Sequence, residues 1–234
     1  MDFSQRANLA ELMDEPCSFA EFQACLRDLE KVNRLTGAYR PTLGWLQQLV
    51  AARPRRAEPL HVVDVGCGHG DMLRQIAAWA RKRAVAVELT GVDLNPHAAR
   101  AAREVQSSAD ITWITGDAFS VALPRQADVV ISSLFTHHLP EAEIVRFLAW
   151  MEASARVGWL VNDLHRSRSA YHLFRGLAKV MQWHRFVQHD GPVSIRRAFS
   201  ASDWQRMCTA AGLGRDEVRI VPRFPSRLCV ERLK

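Results

Sequence analysis

No stretch of this 234-residue chain approaches the ~20 consecutive apolar residues that a bilayer-spanning helix requires, so a transmembrane reading has no segment to rest on. The opening stretch, MDFSQRANLAELMDEP, is acidic and polar where a secretory signal would be basic and then apolar, and a cytoplasmic location is expected. Cysteine is sparse. Cys17, Cys25, Cys67, Cys208 and Cys229 form no CxxC pair and no Cys/His spacing suited to zinc, so neither disulfides nor a metal is expected. Lysine is nearly missing, with four against 27 arginines, and the formal charge of +6 is spread along the chain. Only short basic clusters occur, at Arg53, Arg55, Arg56 and at Arg81, Lys82, Arg83. A nucleic-acid surface would show a basic stripe with interleaved aromatics, so that partner is not expected.

What is present is apolar material enough, 48%, for a sizeable core, most simply one domain with additions. Ser18 and Glu21 in SFAE form a capping box ahead of Phe22, Leu26, Leu29 and Asn33 at helical spacing. Pro41 suits the first turn of a second helix, PTLGWLQQLV. The basic AARPRRAEP then reads as a surface linker, which divides the chain into an N-terminal helical cap, 1–56, and a main domain, 57–234.

From Leu60 short β-rich runs alternate with helical ones: LHVVDV, a helix from Asp71, LTGVDL, a helix from Pro96, ITWIT, ADVVIS, a helix from Glu141, then VGWLVNDL. Buried parallel strands read as unbroken apolar runs, so the alternation predicts a doubly wound α/β sheet. A helix capped by Ser200 and ended by Gly212 precedes EVRIVPRF and SRLCVERL, whose short connection forces antiparallel pairing. The expected fold is a mostly parallel, seven-stranded, Rossmann-like sheet ending in an antiparallel hairpin.

Ligands of such sheets bind at the carboxyl ends of the strands. The first end, VVDVGCGHGD, places Asp64 before Gly66, Gly68 and Gly70 as D-x-G-x-G-x-G, where dinucleotide enzymes use G-x-G-x-x-G. An acid before the loop suits an ammonium and discourages a pyrophosphate. At the second end Asp93, in GVDLNP, is placed to accept both hydroxyls of a ribose. At the third, GDAF offers Asp117 for an exocyclic amine and Phe119 as an apolar neighbour for adenine. Together these residues describe an adenosine joined to a cationic amino acid.

On these motifs the chain, from about Leu60 onward, resembles the class I S-adenosylmethionine (SAM) dependent methyltransferases. The resemblance implies that Asp64, Gly66, Cys67, Gly68 and Gly70 hold the methionine part of SAM and that Asp93 with Leu94 holds the ribose. Asp117, Ala118 and Phe119 would lie against the adenine, and Ser133 with Leu134 would flank the cofactor at the fourth strand. Helices ahead of the sheet close over the cofactor in this family, which makes Arg40, in GAYRPT, a candidate partner for the SAM carboxylate. S-adenosylhomocysteine would be the product.

Relatives that methylate amino groups of adenine, cytosine or glutamine carry (D/N/S)PP(Y/F) after the fourth strand; this chain has SSLFTHHLP. His137 and His138 are similar to the LHHL-type elements of small-molecule methyltransferases, and imidazole suits a general base for a phenol or alcohol. NDLHRS adds Asp163, to orient an imidazole or accept a proton, and His165 on the substrate side. Residues 166–199 read as an inserted lid over a hydrophobic substrate. Leu173, Phe174, Leu177, Val180 and Met181 would form its apolar helix face, and HDGPVSIRRAF would be a loop bringing His189, Asp190 and Arg196 towards the pocket. A basic amphipathic helix there is also suited to peripheral contact with a membrane surface. LEKVNRLTGAYR, NDLHRS and HDGPVSIRRAF narrow the resemblance to bacterial small-molecule O-methyltransferases associated with type III polyketide synthases. The expected activity is O-methylation of a phenolic, polyketide or quinone-like molecule. A methyltransferase acting on RNA or protein, and a SAM-binding module without catalysis, stay open as alternatives.

Overall fold

The structure, a computed structural model, describes residues 2–52 and 58–234. The basic run with Arg53, Arg55 and Arg56, expected as a linker, lies outside the described residues. Two helices come first, α1 (Phe19–Leu35) and α2 (Arg40–Ala51). Ser18 and Glu21 make the capping box the sequence calls for, and Pro41 sits in the first turn of α2. The alternating region follows as β1 (Leu60–Val65), α3 (Asp71–Lys82), β2 (Val87–Asp93), α4 (Pro96–Arg103), β3 (Thr112–Thr115), β4 (Val129–Ser133), α5 (Glu141–Ser154) and β5 (Gly158–Leu164). The chain ends with α6 (Arg168–Val180), α7 (Arg185–Arg197), α8 (Ala201–Ala210), β6 (Val218–Arg223) and β7 (Arg227–Leu233).

The seven strands lie in the order β3-β2-β1-β4-β5-β7-β6, parallel from β3 to β5, with β7 antiparallel to both neighbours. Strand order reverses between β1 and β4, and there the carboxyl ends open the crevice in which doubly wound sheets bind ligands. Every residue of β1 is buried, His61 and Asp64 included, as befits a strand covered on both faces. Val63, Val65, Val130 and Val161 pack under Ile144, Phe147 and Leu148 of α5 and Trp204 and Met207 of α8. Leu60, Val62, Leu89, Ile131 and Leu160 pack under α3 and under Trp45, Leu46 and Leu49 of α2. The second helix of the expected cap therefore belongs to the sheet's own core.

α1 is a different matter, lying as a roof beam across the strand ends. Phe22 and Leu26 pack on Ala98 and Ala101 of α4, while Cys25 and Val32 pack with Ala178, Trp183, Phe186 and Val187 of the α6–α7 pair. The segment expected as a loop, HDGPVSIRRAF, is instead largely helical, because α7 runs to Arg197 with Pro192 inside it. Glycine and proline, here Gly191 and Pro192, ordinarily interrupt a helix. In the fold, a Cβ on Gly191 would overlap the Phe174 ring, so glycine is what lets α6 and α7 approach. Pro192, Ser194, Ile195 and Arg197 are buried, and that packing offsets the backbone hydrogen bond an interior proline forfeits. Of the apolar face read for α6, Phe174 and Leu177 are packed, whereas Leu173, Val180 and Met181 stand exposed. Among the described residues no helix is long and apolar enough to cross a membrane.

Ile144 is wholly buried between α5 and the sheet. Truncation to alanine removes three methyl or methylene carbons from a close-packed site, and Ile144→Ala is expected to lower the unfolding free energy by about 2–5 kcal/mol in urea denaturation.

Candidate functional site

The loop after β1 turns sharply because its glycines take left-handed backbone angles that other residues resist. Gly66 has φ +72°, and a Cβ there would lie 2.6 Å from the Phe135 ring. Gly70, φ +75°, caps α3 with the Trp113 ring pressed against the place where its Cβ would be. A backbone this bare can approach a ligand closely. Asp93 shapes the loop from the end of β2. Its Oδ2 accepts the Gly68 N–H at 2.8 Å and its Oδ1 the Asn95 N–H at 2.9 Å, leaving lone pairs on both oxygens. Burial raises its pKa against these two hydrogen bonds.

Asp64 is 2% exposed, and its Oδ1 has no hydrogen-bond partner among the described residues. Burial, and then the charges of Asp71 and Asp93, push its pKa well above the usual carboxylate range. A buried orphan acid in a negative neighbourhood is suited to a cationic ligand group. Asp64, Gly66, Cys67, Gly68, Asp93, Leu94, Asp117, Ala118, Phe119, Ser133 and Leu134 all line one cavity of about 630 Å³, within the range of small-ligand sites. Gly70 lies just behind it, capping α3. Leu94 stands at its mouth, 73% exposed, and Leu134 adopts a left-handed φ of +56°.

The N-terminal helices close the cavity, but not with the residue expected. Arg40 is exposed at the start of α2 and does not line the cavity; its side chain lies against Gly37. Being the first residue of α2, it emerges on the outer side of the turn, while its neighbour Tyr39 points inward. Tyr39 Oη donates to Asp71 Oδ2 at 2.7 Å and Asn33 Nδ2 to the same oxygen at 2.9 Å, tying the α1–α2 turn to the glycine loop.

Across the cavity the tight turn Thr136–His138 presents the two histidines. Asp163, at the end of β5, is sealed behind them. Its Oδ1 is 2.7 Å from His137 Nδ1 and accepts the Leu164 N–H, while its Oδ2 accepts the His137 N–H and the Thr136 hydroxyl. Burial alone would raise its pKa, but the facing His137 and these donors hold it far below the usual carboxylate range. Asp163 thus orients the imidazole from behind. His137 lines the cavity, and with Nδ1 engaged its Nε2 is the nitrogen left for a ligand.

His138 lies beside it, the ring centroids 4.3 Å apart. Its Nδ1 is 3.0 Å from Asp14 Oδ1 and its Nε2 is 3.8 Å from Glu11 Oε2. Both acids come from the first fifteen residues, which carry no motif and were not read as part of a site. Arg197 donates to the carbonyls of His137 and His138 and pairs with Asp14, and Arg6 donates to the His137 carbonyl. Asp190 lines the cavity and accepts the backbone N–H groups of Leu12 and Met13, so it anchors the N-terminal strap, residues 2–15. His189 and Arg196 do not line it. Nor does His165: it turns away at the strand end, where its N–H donates to the Ser226 carbonyl. Strand alternation explains this, since residues 163 and 165 flank a side chain, Leu164, that faces the cavity. Glu11, His137 and His138 bring ligand-type atoms within 4.8 Å of one another.

Residues 62–158 match a family model described as a methyltransferase domain. The matched segment runs from within β1 to the first residue of β5. No curated protein matches the chain. Among solved structures it is similar to the CMeT domain of citrinin polyketide synthase (16% identity, 83% of this chain and 52% of that one, TM-score 0.59). It is similar to human N-acetylserotonin methyltransferase in complex with SAM (15% identity, 93% and 56%, TM-score 0.64). A third is the plantazolicin methyltransferase BpumL in complex with a monoazolic desmethylPZN analog and SAH (12% identity, 92% and 96%, TM-score 0.61). The chain spans about half the length of the first two. At these identities the likeness is one of fold. The resemblance drawn from the motifs stands with the domain match, and SAM is the cofactor it brings. Asp64, the bare glycine loop and Asp93 fit that cofactor's ammonium and ribose.

Two outcomes are expected. Asp93→Ala weakens SAM binding at least tenfold by calorimetry, because charge-assisted hydrogen bonds of about 1.5–3 kcal/mol each are lost or misplaced. Burial, opposed by His138, Arg197 and Ser194, raises Glu11 to about 7, so between pH 4.5 and 7 the folded chain holds a proton the unfolded chain has released. Stability therefore falls as pH rises through that window, by up to about 3 kcal/mol, and thermal melts of Glu11→Gln show a flatter pH dependence.

Proposed function

We propose that the chain is a SAM-dependent methyltransferase that methylates a hydroxyl of a phenolic, polyketide or quinone-like small molecule. The observation that carries this reading is the His137–Asp163 pair, which opens on the same cavity as Asp64 and the glycine loop. SAM, when bound, supplies a methyl group on a sulfonium, a good leaving group. The chain must then orient the acceptor, exclude water and take one proton.

His137 Nε2 is the proton acceptor in this reading. Asp163 holds the ring in the tautomer with its proton on Nδ1, so that Nε2 carries the lone pair, and its negative charge stabilises the imidazolium that forms. With SAM bound, the acceptor's proton would pass to Nε2 while the cofactor's sulfur–methyl bond broke and the oxygen–methyl bond formed, so that the products would be a methyl ether and S-adenosylhomocysteine. His138 is a positioning residue, because Asp14 and Glu11 face both of its ring nitrogens. The cavity walls supply the apolar part of the fit: Leu26, Leu29, Leu173, Phe174, Leu177 and Phe186 suit an aromatic or polyketide body. Leu173, exposed yet lining the cavity, lies where α6 would meet an entering substrate. The varied acceptors named for the similar structures leave the hydroxyl preference resting on the histidine pair and on the missing (D/N/S)PP(Y/F) element.

The test is release of S-adenosylhomocysteine from labelled SAM over a panel of phenols, quinones, lipids and RNA. Phenolic turnover is expected, and His137→Ala and Asp163→Asn are each expected to lower kcat by about 10²–10⁴-fold with SAM affinity within threefold of the parent. Transfer to RNA or protein with none to phenols, or undiminished phenol methylation by His137→Ala, would sink the reading.

A further inference from the structure

The cavity holds a second buried side chain with polar atoms left unpaired. Arg227, the first residue of β7, is 4% exposed, lines the cavity, and has neither Nε nor Nη1 hydrogen-bonded among the described residues. Its one contact of that kind is a long one, from Nη2 to the Thr36 hydroxyl at 3.5 Å. The nearby acid is already spent: both oxygens of Asp163 are occupied by His137, Thr136 and Leu164. A guanidinium does not shed its proton to escape burial, and its planar fork of N–H donors matches a carboxylate in two parallel hydrogen bonds.

We propose that Arg227 is the carboxylate receptor of this cavity. Two carboxylates can reach such a place: the amino-acid end of the cofactor, an assignment that rests on the SAM reading above, or an acid group on the methyl acceptor. The arrangement of charge favours the first. Arg227 shares its face of the sheet with Cys229, and Asp64 shares the same face with Leu60 and Val62, all beneath α2 and the α1–α2 turn. One orphan acid and one orphan guanidinium under one roof suit a zwitterion, with its ammonium on Asp64 and its carboxylate on Arg227. This is the role the sequence had offered to Arg40.

The experiment is calorimetric titration of the full chain and of Arg227→Gln, each checked for folding by circular dichroism. The ligands are S-adenosylhomocysteine, its carboxamide, and 5′-methylthioadenosine, which lacks the amino-acid end. Arg227→Gln is expected to weaken S-adenosylhomocysteine at least tenfold, to leave 5′-methylthioadenosine within twofold, and to lose nothing further with the carboxamide. In a second arm, salicylate and salicylamide are titrated into chain saturated with S-adenosylhomocysteine. Loss of salicylate alone, with the nucleosides unaffected, keeps the receptor and assigns it to the acceptor. Should Arg227→Gln not fold, the comparison of acid with amide on the parent chain carries the test. The proposal is overturned if acid and amide bind alike in both pairs, or if Arg227→Gln loses S-adenosylhomocysteine and 5′-methylthioadenosine equally. A parent chain that ignores all three nucleosides but separates salicylate from salicylamide sinks the SAM reading and leaves the receptor standing.

Discussion

A carboxylate sealed from water must collect donors or give up its charge, and the acceptor side of this molecule is arranged around one that collects them. Asp163 takes a backbone N–H, a hydroxyl and an imidazole from the Thr136–His138 turn and a second backbone N–H from its own strand. The turn could not hold its shape, nor His137 its ring angle, without that buried acceptor, because several of these groups are removed from bulk water at once. The end of β5 thereby fixes the end of β4, and two neighbouring strands of a scaffold become one wall of a site.

The same physics brings in the chain's beginning. Segment 2–15 has little regular structure of its own, one short turn at Leu12–Asp14, and is held by charged groups from distant parts of the chain. Arg166 takes the Phe3 and Ser4 carbonyls, Asp190 takes the Leu12 and Met13 N–H groups, and Arg197 takes Asp14. Three of the anchors lie in the insertion between β5 and α8, so strap and insertion order each other.

How much of this was legible in the sequence follows from the range of each interaction. Strands and their flanking helices are local: LHVVDV and ADVVIS carry their burial in composition, and the caps at Ser18 and Ser200 are spelled within four residues. The glycine loop, Asp64 and Asp93 were equally readable, because a ligand at successive strand ends imposes a fixed order of residues. The helix through Gly191 and Pro192 was not, since only the Phe174 ring of another helix shows why a breaker is tolerated there. Arg40 and His165 were the right neighbourhoods with the wrong side chains: one residue along, at Tyr39 and Leu164, the chain faces the cavity. Glu11, Asp14 and Arg227 gave only a faint signal. The last is a charged residue opening a strand otherwise read as SRLCVERL, and its meaning appears only when β7 is placed beside β5.

The hairpin that delivers Arg227 also decides what lies at the rim of the sheet. Because β7 inserts between β5 and β6, the outermost strand on that side is β6, which carries Pro222 and the charged Arg219 and Arg223. The opposite rim is β3, four residues long. A foreign strand docking on either rim would meet a missing N–H and fixed positive charge, or a ladder too short to hold it. Neither rim, though unpaired, therefore offers a ready template for an intermolecular sheet.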